Sequence, residues 1–201
     1  MVIPRYLFRG DSDQENKRQL KSTFNSGLLL TNLINGGNGR EIFSSSLGQL
    51  VNKHIATVWD RTHFLSFTSD EQTAFFYGSN DKAFEDVYDD KEIWDFSVLT
   101  FDTLQLIQES VNEIETGIYS AQFHPTYKEF MPTYKVILID ALSHLKSIAA
   151  KTNTELTTSI AKADKDKEWL ILPANPFGYN GEFTAKLDTH CITDKRVFRY
   201  I

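Results

Sequence analysis

The sequence predicts an α+β fold on three observations. Apolar residues recur at helical spacing over residues 40–59, helical segments dominate the first half of the chain, and short apolar strands dominate the second. Residues 3–9 (IPRYLFR) read as a first strand, and the polar stretch 13–24 as a helix. Asn35, Gly36, Gly37, Asn38 and Gly39 form a flexible loop. The amphipathic helix follows, with Ile42, Phe43, Leu47, Leu50, Val51, Ile55, Val58 and Trp59 on one face.

A short strand, His63 to Phe67, then runs into a helix over 70–77 that Ser69 or Asp70 can cap. Further on, a strand is expected near 96–102, a helix near 103–114 and a strand at 134–139 (YKVILI). Residues 151–167 are polar and nearly free of large apolar groups, which predicts a surface loop. Strands at 168–172 (EWLIL) and 195–201 close the chain. With no internal repeat and no low-complexity linker, 1–201 reads as a single domain.

Composition narrows the function classes. Hydrophobic residues at 41% and aromatics at 13% suit a packed globular chain. A net charge of -6 supplies no general drive toward nucleic acid or anionic membranes. Cys191 is the single cysteine, so no internal disulfide can form. The start, MVIPRYLFRGDSD, lacks the apolar core of a signal peptide, and the longest apolar runs are too short to span a bilayer. Such a start could equally belong to a catalytic piece of a larger protein.

Three segments carry candidate chemistry. In Leu7-Phe8-Arg9-Gly10-Asp11-Ser12, an Arg at a strand end precedes Gly, a planar donor fork beside accessible backbone that suits a diphosphate. In Phe64-Leu65-Ser66-Phe67-Thr68-Ser69-Asp70, hydroxyls leave an apolar strand and a helix begins, with Ala74 small enough to let that helix approach the sheet. In Asp166-Lys167-Glu168-Trp169, alternation puts both carboxylates on one side of an extended chain, about 6–7 Å apart. Taken singly, each also reads as ordinary structure: a surface Arg before a turn, an N-cap, a charged strand entrance. The glycines at 36, 37 and 39 continue into no Walker or Rossmann pattern, and the histidines and Cys191 show no metal spacing.

Taken together and in this order, the segments resemble the Arg–Ser–Glu class of ADP-ribosyltransferases, which includes cholera and pertussis toxins. Arg9-Gly10-Asp11-Ser12 is similar to the opening Arg-x-Asp-Ser of those toxins, and Ser66-Phe67-Thr68 stands where they have Ser-Thr-Ser. Ala74 lies at the matching offset, and His54 resembles a His that many toxin relatives carry on the preceding helix. Two positions depart from the family pattern: Phe67 replaces its middle Thr, and Asp166 replaces the Glu or Gln two residues before the catalytic Glu.

The resemblance implies a split β-sandwich with a helical N-terminal flank and an NAD cleft, and a mono-ADP-ribosyltransferase that releases nicotinamide from NAD. NAD is then the only cofactor, used as substrate, with no metal. Glu168 is implied as the catalytic carboxylate, Ser66 as its orienting partner and Arg9 as the phosphate and ribose ligand. Gly10, Asp11, His54, Thr68, Phe75 and Phe76 would line the NAD site, and Phe75, Phe76 or Tyr77 could stack on nicotinamide or belong to the core.

Asp166 and the 151–167 segment would meet the acceptor, a macromolecule and a protein rather than a nucleic acid. An immunity protein or a larger delivery polypeptide is the further partner implied, with no membrane. The expected setting is a bacterial toxin or effector, secreted or injected and acting in the target-cell cytoplasm, or else cytoplasmic. The alternatives are an NAD glycohydrolase toxin and a non-catalytic NAD- or protein-binding domain of the same fold.

Overall fold

The computed structural model describes residues 3–12, 28–29, 47–56, 64–79, 94–105, 112–123, 134–152, 155–173, 186–187 and 192–200. The strands are β1 (Tyr6–Ser12), β2 (Leu28–Leu29), β3 (Leu65–Thr68), β4 (Trp94–Asp102), β5 (Asn112–Glu115), β6 (Ile118–Phe123), β7 (Tyr134–Asp140), β8 (Glu168–Pro173), β9 (Lys186–Leu187) and β10 (Ile192–Tyr200). The helices are α1 (Leu47–Ala56), α2 (Glu71–Ser79), α3 (Ala141–Thr152) and α4 (Thr157–Asp166). An eight-stranded antiparallel sheet runs β10-β4-β1-β3-β8-β7-β6-β5, and β2 pairs with β9 in a separate ribbon. The fold is therefore α+β.

The sheet has one thin seam. Strands β1 and β4 are in register from Tyr6↔Asp102 to Ser12↔Phe96, and β3 and β8 from Leu65↔Ile171 to Thr68↔Glu168. Between those pairs, β1 meets β3 only at Phe8↔Thr68. A ladder that thin leaves backbone groups on both strands in need of other partners.

Helices pack on both sides of the seam. On one side, Leu50, Val51 and Ile55 of α1, Ala141 and Leu145 of α3, and Ala163 of α4 close a core over Ile139 of β7 and Leu170 of β8. Gly48 makes the α1–α3 contact close, since a Cβ there would lie 2.1 Å from Ile148 Cδ1. Ser159 Oγ donates to Asn52 Oδ1 at 2.6 Å, which ties α4 to α1.

On the other side, α2 lies across β1 and β4. A Cβ on Gly10 would fall 2.1 Å from the carbonyl oxygen of Ala74 and 2.5 Å from Gly78 N. Asp70 caps α2: Oδ1 accepts from Gln72 N at 3.2 Å and Oδ2 from Thr73 Oγ1 at 3.1 Å.

Several expectations are corrected. The first strand begins later than residue 3 and extends through Ser12, so Arg9 and Gly10 lie inside it and not at a turn. Of the stretch 103–114 expected as helix, Thr103–Gln105 form a 3-10 turn, where Asp102 Oδ1 accepts from Leu104 N, 112–114 belong to β5, and 106–111 lie outside the described residues. Thr116 and Gly117 turn β5 into β6, with Gly117 at φ 76°.

Residues 157–166 are helix and not surface loop. The α4 face turned inward fully buries Ser159 and Ala163 beside the partly buried Ile160, so few large side chains mark it in the sequence. Strands are also not confined to the second half, because β1, β3 and β4 form the middle of the sheet. The expected helix over 13–24, the 35–39 loop, the ends of the 40–59 helix, His63 and Cys191 lie outside the described residues.

Candidate active site

The seam gathers the residues that the sequence singles out. Arg9 sits in the middle of β1, opposite Leu99 of β4. Its Nη1 donates to the carbonyl oxygen of Ser66 at 2.6 Å, so a guanidinium takes the place a ladder N–H holds in a continuous sheet. The guanidinium carbon also lies 6.0 Å from the centre of the Phe67 ring. Phe67 thus stands under Arg9 where the resembled family has a Thr. A guanidinium carries five N–H donors, and the Ser66 bond uses one of them.

The hydroxyl of Ser66 goes the other way. Its Oγ is 2.7 Å from Nε2 of His54, which reaches over from α1. The same nitrogen is 3.5 Å from Glu168 Oε1, and the His54 and Glu168 side chains are only 8% and 14% exposed. His54 is held by its helix, whose neighbouring turns are buried at Leu50, Val51 and Ile55, and by an edge-on contact with Phe64 at 5.4 Å. Its Nδ1 is buried and has no hydrogen-bond partner among the described residues. A proton on Nδ1 would be an orphaned donor, so the neutral ring carries its hydrogen on Nε2 and donates from there.

That arrangement excludes a Ser–His–acid relay. A relay needs the serine and the acid on different ring nitrogens. Here both approach Nε2.

Glu168 is the first residue of β8 and pairs with Thr68. Thr68 is buried, donates its hydroxyl to the carbonyl oxygen of Asp166 at 2.7 Å, and accepts from Asp70 N at 3.0 Å. Ser69 N donates to the carbonyl of Lys167 at 3.2 Å. Lys167 ends α4 in the left-handed conformation at φ 46°, the turn that swings the chain from helix into strand. Asp166 is therefore the last residue of a helix. Strand alternation does not relate it to Glu168, which corrects the reading of 166–168 as extended chain.

Tyr77, on α2, reaches Asp166. Its hydroxyl donates to Asp166 Oδ2 at 2.6 Å. Burial, that hydrogen bond and the negative charges of Asp166 and Glu168 all hold its phenol well above the ordinary tyrosine range. Phe75 and Phe76 are not core residues, at 43% and 51% exposed. Phe75 packs edge-on against Phe96 and Phe198, which holds it at the β4–β10 end of the sheet.

The structure brings Arg9, His54, Ser66, Thr68, Asp166 and Glu168 to one seam, with Gly10 under α2. Asp11 is placed by its backbone, opposite Ser97. The sequence reading missed Tyr77 as the partner of Asp166, and it missed Gly10 and Gly78 as the contact that seats α2. It also missed His144, buried on α3 with Nδ1 3.3 Å from the carbonyl of Thr116 and Nε2 without a partner. One signal for His54 was present: it falls seven residues after Leu47, on the apolar face of its helix.

Among the described residues, no three His, Cys, Asp or Glu side chains group so as to hold a metal ion, and no helix is long and apolar enough to cross a membrane. Comparison with protein-family models, curated proteins and solved structures finds no match for this chain.

Proposed function

We propose that this chain is an NAD-dependent mono-ADP-ribosyltransferase with its reaction centre at the β1–β3 seam. One observation carries the reading. Arg9, Ser66, His54 and Glu168, distant in sequence, meet through contacts of 2.6, 2.7 and 3.5 Å where the sheet is joined by a single registered pair. A planar cation on one strand and a nearly buried carboxylate on another supply the two charges needed to hold NAD and to cleave it.

The bond to be broken joins nicotinamide to ribose. Its transition state spreads positive charge over the ribose ring, as in glycoside cleavage. A carboxylate aimed at that charge in a water-poor site is the strongest single contribution available. Glu168 supplies it and accepts a hydrogen bond from a ribose hydroxyl. Arg9 holds the diphosphate with its planar guanidinium. His54 and Ser66 fix the Glu168 carboxylate, so Glu168 is oriented through His54 and not by Ser66 directly. The thin β1–β3 junction within the single eight-stranded sheet supports a cleft at this position. Asp166, at the end of α4, faces the incoming acceptor, which we take to be a protein.

The test is incubation with NAD labelled in the adenylate moiety, together with a cell lysate. Release of nicotinamide and protease-sensitive label in macromolecules are expected. Failure of NAD to bind, or binding without nicotinamide release, would overturn the reading. Release without macromolecular label would instead assign an NAD glycohydrolase.

A further inference from the structure

We infer that Tyr77 is a positioning residue that holds Asp166 at the mouth of the site and so decides how much ADP-ribose reaches the acceptor rather than water. The inference rests on the proposed transferase reading and extends it to a residue on a different element.

Asp166 is held from two sides. Its carbonyl oxygen accepts from Thr68 Oγ1, which fixes the backbone, and its carboxylate accepts from Tyr77, which fixes the side chain. The residues around it on α4, Asp164 and Lys165, are exposed, whereas Asp166 is half-buried. Without the phenol, the Asp166 carboxylate would swing into water with them.

Tyr77 is itself oriented by α2, whose backbone is pressed onto β1 at Gly10 and Gly78. Gly78 is the next residue after Tyr77, so the tightest point of the helix–sheet contact sets the phenol position. The hydroxyl hydrogen is spent on Oδ2. Asp166 Oδ1 then faces the acceptor as a fixed hydrogen-bond acceptor, suited to an N–H-bearing or guanidinium group. The negative charges of Asp166 and Glu168 both act on the same phenol.

The chemistry divides accordingly. Breaking the nicotinamide–ribose bond uses Glu168 and Arg9, and water can take the ribosyl cation with no help from Asp166. Forming the bond to an acceptor nitrogen needs that nitrogen oriented over the ribose carbon and relieved of a proton, which a fixed carboxylate can accept.

The experiment compares wild type, Tyr77→Phe, Asp166→Ala and the double variant, with labelled NAD and a cell lysate as the acceptor pool. Two rates are read from each sample: nicotinamide release and label in protease-sensitive macromolecules. Tyr77→Phe should lower the ratio of transfer to release by roughly tenfold, the usual effect of losing a hydrogen bond to a charged group, with release nearly unchanged. The double variant should match Asp166→Ala alone, because Tyr77 acts through Asp166.

Equal ratios in wild type and Tyr77→Phe would overturn the inference, as would additive losses in the double variant. Wild type that releases nicotinamide and labels nothing would also overturn it, since no transfer exists to steer. Wild type that releases no nicotinamide would sink the transferase reading instead. If Tyr77→Phe melts much lower than wild type, Asp166→Asn serves in its place: it keeps the side-chain shape and the link to Tyr77 while removing the proton acceptor, and must likewise lower the ratio.

Discussion

His54 Nε2 stands 3.5 Å from Glu168 Oε1, with both side chains nearly out of solvent. Neither residue has a neighbour in sequence that explains the other. Helix α1 is pinned over the sheet by its apolar face, and β8 enters the sheet at Glu168 because α4 ends in the left-handed turn at Lys167. The pair is thus a product of core packing, and the placement of His54 against Glu168 depends on a helix core remote from Glu168 in sequence.

Replacement of Glu168 by Gln keeps the shape and removes the charge. Nicotinamide release should fall by about 100-fold or more, with little change in melting temperature. Near-normal release from the variant would take Glu168 out of the catalytic role.

Arg9→Lys keeps a positive charge but loses the planar fork that spans the seam to Ser66 and that the proposed function assigns to the diphosphate. NAD affinity should drop clearly in calorimetric titration. A stability loss of about 1 kcal/mol should accompany it, because the Ser66 carbonyl loses a well-aligned donor. Unchanged affinity would reduce Arg9 to a structural bridge.

At Gly10, the obstacle is backbone and cannot rotate away. A methyl group there would press on the Ala74 carbonyl and on Gly78 N. Gly10→Ala should cost about 1–3 kcal/mol by overpacking, measured by denaturant unfolding. It should also shift α2 and, with it, Tyr77. A variant as stable as wild type would show that α2 is not seated on β1 as described.

His144 gives a pH signature. Burial pushes its imidazole below the usual histidine range, against a smaller opposing pull from Thr116 and Glu115. In the unfolded chain the same group takes a proton near pH ~6.5. Below that value the unfolded state binds more protons than the folded one, so stability falls as the pH drops through about 6.5 toward the lower folded value, and is fully present above it. Unfolding free energies of wild type and His144→Gln, compared at pH 7.5 and 5.5, should show the acid loss shrinking in the variant. An identical loss in both would assign it to other groups.

Much of the sheet could be read from the chain. The strand at 134–139, the start of β8 at Glu168, the cap at Asp70 and the apolar face of α1 each follow from a local rule: alternation, a charged entrance, a side-chain acceptor before a helix, or a spacing of three and four. Arg9, Ser66, His54 and Glu168 could be marked as candidates because their order along the chain survives without knowledge of distance. What local rules missed were elements whose inward faces are small or polar. Helix α4 fully buries only Ser159 and Ala163, with Ile160 partly buried beside them, so it carries few large apolar residues, and α2 turns Ala74 and Gly78 to the sheet while its aromatics stay exposed, so it shows no apolar period.

The sequence by itself determined which residue types were available for the chemistry and where most strands begin. Tertiary structure alone decided how they meet. That the sheet thins to Phe8↔Thr68, that Arg9 bridges the gap to a backbone carbonyl, that one nitrogen of His54 serves both Ser66 and Glu168, and that Tyr77 claims Asp166 are all contacts across many residues of chain. No local propensity encodes them. They arise because burying the faces of α1, α2 and α4 fixes the helices against the sheet to within a methyl group, and packing at that density leaves each buried polar side chain only the few partners within reach.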